Sequence, residues 1–143
     1  MAPRKQSILI VDDEFGLAEM LRELLRESGF EITLAINGRL ALEILQEGKV
    51  DLVLTDMMMP VMDGAELATA MRRDERHRHT PIVMMTSLPM ARPQPEGLFD
   101  AVLRTPFTPE LLLETLQDCL ARAAEDEADR STGRGETEEQ DRT

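Results

Sequence analysis

Residues 7–13 read Ser7-Ile8-Leu9-Ile10-Val11-Asp12-Asp13, a continuous β-prone apolar run that breaks off into two carboxylates. A strand apolar at every position, rather than at every second one, is buried on both faces, as in a parallel sheet covered by helices on both sides. The segment after it supports that reading. Leu17, Met20, Leu21, Leu24 and Leu25 recur at helical spacing up to Gly29, a good helix stop.

The same alternation continues along the chain. Glu31 to Ile36 alternates apolar and polar and predicts a strand with one partly open face; Asn37-Gly38 makes a turn. Leu40, Ala41, Ile44 and Leu45 mark a second helix closed by Gly48, and Leu52-Val53-Leu54 a third strand. Gly64 to Arg73 carries a third helix. Pro81 to Met85 is a fourth strand and Ala101-Val102-Leu103 a short fifth. Thr108-Pro109-Glu110 opens a last helix, with Thr108 as N-cap and an apolar face of Leu112, Leu113, Leu116, Cys119, Leu120 and Ala123. A helix is due between the fourth and fifth strands, but Ser87 to Phe99 contains Pro89, Pro93 and Pro95. Proline inside a helix costs about 3 kcal/mol, so this segment is expected to be mostly loop. The order predicts an α/β fold, a parallel sheet with helices on both faces, whose functional cleft lies at the carboxyl ends of the strands.

The 143 residues suit one domain, expected over residues 4–124. Glu125 to Thr143 holds eight acids and no Leu, Ile, Val, Met or Phe, and reads as a disordered acidic tail. The formal charge of -12 argues against binding nucleic acid or an anionic membrane, both of which need a basic face. A single Cys excludes an internal disulfide and suits a reducing cytoplasm. Without Trp or Tyr there is no aromatic platform for bases. Fourteen of the sixteen basic residues are Arg; the lysines are Lys5 and Lys49.

The chemistry gathers at strand ends. Asp12 and Asp13 follow the first strand, Asp56 the third, and Thr86 the fourth. Three carboxylates brought to one edge repel one another, and a hard cation such as Mg²⁺, which prefers carboxylate oxygens and water, relieves that repulsion. His77 and His79 lie in a polar connection and are expected to be solvated, and Cys119 to be core.

These residues resemble the receiver domain of bacterial two-component response regulators, over roughly Gln6 to Ala123. The likeness rests on Asp12-Asp13, on Asp56-Met57-Met58-Met59-Pro60-Val61-Met62-Asp63-Gly64, on Thr86 and on Pro106-Phe107. The resemblance implies a flavodoxin-like sheet of order 2-1-3-4-5 and a phosphate acceptor at Asp56. It implies Mg²⁺ held by Asp13, Asp56 and the Met58 carbonyl, with Asp12 acting through water. Thr86 and the Met58 and Ser87 N–H groups would meet phosphoryl oxygens. Partners would be a histidine kinase or phosphotransfer protein and a downstream protein, for a cytoplasmic chain that is a monomer or weak dimer and not an enzyme.

Three features depart from that pattern. Thr105 occupies the family's lysine position, and both lysines are expected at the opposite edge of the sheet; Arg104 could take over only if the backbone kinks before Pro106. Val102 stands where a switch aromatic is usual. The span from Thr86 to Thr105 is shorter than usual. Two main readings follow. One is a stand-alone phosphoacceptor with output through protein contacts. The other is a degenerate receiver that binds proteins without phosphorylation. A small phosphate-processing enzyme is weaker, because the chain has no Gly-rich phosphate loop.

Overall fold

A computed structural model of the chain describes residues 4–87 and 97–131. Five strands alternate with helices: β1 (Ser7–Val11), α1 (Phe15–Glu27), β2 (Glu31–Ala35), α2 (Gly38–Glu47), β3 (Leu52–Asp56), α3 (Gly64–Arg73), β4 (Ile82–Thr86), β5 (Ala101–Arg104) and α4 (Pro109–Ser131). All pairings are parallel, in the order β2-β1-β3-β4-β5. The expected flavodoxin-like architecture and strand order are the observed ones.

The alternation of side chains along each strand divides the core in two. Ile8, Ile10, Leu52, Leu54, Val83 and Met85 face α1 and α4, meeting Leu21, Leu25, Leu112 and Leu116. Leu9, Val11, Val53 and Ile82 face α2 and α3, meeting Leu45, Leu67 and Met71. The helix ends follow local chemistry. Gly29 turns the chain out of α1 at φ +100, in the left-handed region that favours glycine. Asn37 caps α2 by accepting from the Leu40 N–H, and Asp63 and Glu66 form a capping box on α3. Thr108 caps α4 as expected, its hydroxyl accepting from the Leu111 N–H at 3.0 Å.

Three readings change, and two more lie outside the described residues. Asp56 and Thr86 are the last residues of β3 and β4, rather than the first beyond them, because the ladder to the neighbouring strand continues through both. Helix α4 runs to Ser131, seven residues past the boundary expected at Ala124. Its exposed end needs no burial. Ala, Glu and Arg are good helix formers, and a helix already nucleated on the core lengthens at little cost. His77 is 2% exposed, not solvated: its Nε2–H donates to the Leu45 carbonyl at 3.1 Å, at the end of α2. Finally, the loop expected in place of a helix falls on residues 88–96, and the end of the tail on 132–143. Both lie outside the described residues. No helix among the described residues is long and apolar enough to cross a membrane.

Candidate functional site

The register brings the acids together. Val11 pairs with Thr55, so the next residues, Asp12 and Asp56, leave adjacent strands at the same edge. One oxygen from each of Asp12, Asp13 and Asp56 lies within 4.8 Å of the others. Asp12 is buried, Asp56 half-buried and Asp13 exposed, so the cluster is a pocket open on one side.

Its electrostatics are unfavourable as it stands. Burial, with the charges of Asp56, Asp13 and Glu14, pushes the Asp12 carboxyl up to about 6, against one opposing hydrogen bond from the Glu14 N–H. Asp56 is raised too, by burial and by Asp13 and Glu14, with the Met57 and Met58 amides opposing. Asp12 Oδ2 is buried with no hydrogen-bond partner. Such an oxygen costs on the order of 1–3 kcal/mol unless something ligates it. Three converging carboxylate oxygens, on residues of which Asp12 also carries an unsatisfied oxygen, fit a hard divalent cation. Glu14 was not legible as part of this field, because a carboxylate at a helix start reads first as a cap; yet it makes no side-chain cap bond here.

The other expected site residues fall around this edge. Thr86 is buried at the end of β4, and its carbonyl accepts from the Thr105 N–H at 2.9 Å, which brings Thr105 to the same end of the sheet. Ser87 and Met58 are exposed. Arg104 does not turn inward. It pairs across from Thr86, is exposed, and makes no ion pair or hydrogen bond among the described residues. The lysines are at the far end. Lys5 precedes β1, and Lys49 precedes β3 beside Asp51, whose carboxylate accepts from the Ser7 N–H.

The loop after Asp56 is set by tight backbone. The Met62 N–H donates to the Pro60 carbonyl at 2.8 Å around Val61 at φ +76, a γ-turn that a β-branched residue rarely adopts. Gly64 then passes so close that a Cβ there would stand 2.5 Å from the Asp56 carbonyl oxygen. That close approach explains why no side chain fits at this position. Gly64→Ala is expected to displace the backbone of Asp56 and to cost about 1–3 kcal/mol of stability. Chemical denaturation would check it, and an unchanged midpoint would count against the close approach.

The comparisons agree with this arrangement. A family model described as the response regulator receiver domain matches residues 8–117. Response regulator Rre1 of Synechocystis sp. is 37% identical over 120 residues, covering 81% of this chain and 52% of that protein. Transcriptional regulatory protein SrrA of Staphylococcus aureus is 36% identical over 118 residues, covering 80% and 48%. The chain thus spans about half the length of the curated relatives it matches. Among solved structures, chemotaxis response regulator CheY4 of Vibrio cholerae has a TM-score of 0.72 at 33% identity, covering 81% of this chain and 99% of that one. The receiver domain of a sensor histidine kinase from Pseudomonas aeruginosa PAO1 has a TM-score of 0.75 at 26% identity, covering 82% and 99%. That structure is described with a magnesium ion coordinated in its active site cleft.

Proposed function

The chain belongs to the response regulator receiver domain family, and on that footing we propose that it accepts a phosphoryl group on Asp56 in a Mg²⁺-dependent reaction. The convergence of Asp12, Asp13 and Asp56, with Asp12 Oδ2 left unsatisfied, is the observation that carries this reading. The donor is a histidine kinase or phosphotransfer protein. An Asp56 carboxylate oxygen attacks phosphorus, the bond from phosphorus to the donor nitrogen breaks, and an acyl phosphate forms.

Asp12, Asp13, Asp56 and the Met58 carbonyl would hold the Mg²⁺, which when bound supplies positive charge against the phosphoryl oxygens. The chain's own groups do the rest. Asp56 is aimed by its place at the end of a central strand, and burial holds it in a poorly hydrated pocket. The Thr86 hydroxyl and the Met58 and Ser87 N–H groups take the remaining oxygens. Thr105 stands where a cation is usual, so charge neutralisation rests on the metal. Output passes through contact with a downstream protein, from a cytoplasmic chain that works alone, as a monomer or weak dimer, and turns over no substrate. A second reading, a protein-binding module that is never phosphorylated, is favoured by Thr105 and by the 44% exposed Val102.

Intact mass after treatment with acetyl phosphate or phosphoramidate separates the two. The expected result is a gain of one phosphoryl group with Mg²⁺, none with chelator, and none in Asp56→Ala. A chain that never gains mass, or gains it equally in Asp56→Ala, sinks the acceptor reading.

A further inference from the structure

The charges gathered at the carboxyl edge of the sheet do not balance. Asp12, Asp13 and Asp56 converge within 4.8 Å, and the charge of Glu14 reaches both Asp12 and Asp56. Within the chain, neutralisation rests on the metal, and a single divalent cation offsets two of these four charges. The charged groups that act most on Asp12 and Asp56 are all carboxylates. Arg104 is exposed and makes no ion pair among the described residues, and both lysines lie at the opposite edge. Asp12 is only 2% exposed, and its Oδ2 is buried without a hydrogen-bond partner. A buried carboxylate in this state calls for a cation or a donor beyond what the chain itself brings.

The sheet also sets where such a group fits. Side chains alternate between the two faces of a strand. Asp56 follows Leu52 and Leu54 by this period, Thr105 follows Leu103, and Asp12 follows Ile8 and Ile10; all of these leading residues share one core face. Asp56 and Thr105 therefore lie on one side of the sheet at the same edge. Only β4 separates their strands, so they stand two strand spacings, roughly 10 Å, apart. Arg104 falls on the other side. Thr105 is half-buried; its N–H is spent on the Thr86 carbonyl at 2.9 Å, and its hydroxyl makes no hydrogen bond among the described residues. A carboxylate and a hydroxyl this short do not meet across that distance, and both offer oxygens. An ammonium, a compact charge with three donors and no acceptor, suits oxygens on two sides. We propose, on the reading of Asp56 as acceptor, that a primary ammonium from outside the chain enters between Asp56 and Thr105 and completes the charge balance. Its source is a lysine side chain on the protein that delivers the phosphoryl group. Transfer turns the Asp56 carboxylate into an acyl phosphate with one more negative charge, so the cation matters most while the donor is docked. A small donor without that ammonium reacts slowly, which makes phosphorylation depend on the right partner.

Methylammonium, the free end of a lysine side chain, is the probe, and acetyl phosphate the small donor, whose phosphoryl group passes to Asp56 as acetate leaves. The full chain with Mg²⁺ is followed by intact mass at constant ionic strength, since screening alone alters exposed charges. The expected rate is several-fold higher in methylammonium than in tetramethylammonium, which has the same charge but no N–H. Thr105→Lys, which supplies the ammonium from within, is expected to react several-fold faster in tetramethylammonium and to lose the response to methylammonium. Melting temperature gives a readout apart from the reaction. With Mg²⁺ and no donor, methylammonium should raise it above its value in tetramethylammonium, and this difference should vanish in Thr105→Lys. Three outcomes would overturn the proposal: equal rates and melting temperatures in the two salts; sodium or potassium as effective as methylammonium, which assigns the position to an alkali cation; or loss of phosphorylation in Arg104→Ala, which makes the cation the chain's own. A chain that gains no mass in any salt, Thr105→Lys included, fails as an acceptor and takes the ammonium site with it. Mass gained at a rate indifferent to methylammonium keeps the acceptor and removes only the outside cation.

Discussion

Saturating Mg²⁺ is expected to raise the melting temperature at about pH 7.5 by roughly 8–15 °C, and Asp12→Asn to remove most of that rise while stabilising the metal-free protein. A ligand at about 100 times its dissociation constant adds about 2.7 kcal/mol, and each kcal/mol moves a domain of this size by about 3–6 °C. The effect of pH on the metal-free protein has a definite sign. Asp12 is raised from 3.8 to about 6 in the folded state, so folding favours its protonated form. That stability is fully present below about pH 4 and is lost as pH rises through 6, a change of up to about 3 kcal/mol. Asp56 is shifted in the same direction. Asp51 goes the other way: despite burial, Arg4 and Ser7 hold it low, so its contribution is lost only on further acidification. The metal-free protein should therefore weaken between about pH 4 and 7, and the Mg²⁺ increment should grow over that window. Asn at position 12 keeps the acceptor for the Glu14 N–H and removes the buried charge. Calorimetry across pH, with and without Mg²⁺, checks all of this. Metal-free stability that climbs from pH 5 to 7, or Asp12→Asn with an undiminished Mg²⁺ response, would refute the shared pocket.

Arg72→Ala is expected to cost about 2–4 kcal/mol, and Arg72→Lys to recover less than half of it. The Arg72 guanidinium has five N–H groups, and all five are used. Nε donates to the Gly97 carbonyl, Nη1 to the Arg78 and Thr80 carbonyls, and Nη2 to the Leu98 carbonyl and Asp100 Oδ2, at 2.8–3.1 Å. The side chain is only 19% exposed, so the bonds are shielded from solvent competition. It ties the end of α3 to the segments that lead into β4 and β5. Asp100 Oδ2 also accepts from the Ile82 N–H at 2.7 Å, which locks the start of β4 to the same point. An ammonium offers three donors without the planar fork. Urea midpoints for the two variants decide the matter; a fully stable Arg72→Lys would mean that charge, not geometry, is what matters there.

How legible each residue was depends on the range of the forces that place it. Strands buried on both faces must be apolar throughout, so Ser7 to Val11 and Leu52 to Leu54 announced themselves. The Thr108 cap acts over three residues and was legible from local sequence, whereas Asn37 read only as part of a turn and proved to cap α2. Asp12, Asp13 and Asp56 were found because a parallel sheet delivers strand ends to one edge. His77 was misread because its neighbours, Arg76 and Arg78, are polar, while its partner, the Leu45 carbonyl, lies 32 residues away. Arg72 looked like any of fourteen arginines, since four of its five acceptors are backbone carbonyls, which carry no signature in sequence.

By itself, then, the order of residues determined the α/β layers and which carboxylates sit at strand ends, which follow from periodicity and from local backbone chemistry; the strand order came from the resemblance to the family. Only the tertiary structure decided that Asp12 is the buried, unsatisfied member of the cluster, that Gly64 leaves no room for a Cβ, and that Arg72 is a five-bond anchor. Each of these depends on distances between segments far apart in the chain, set by how the helices close over the sheet.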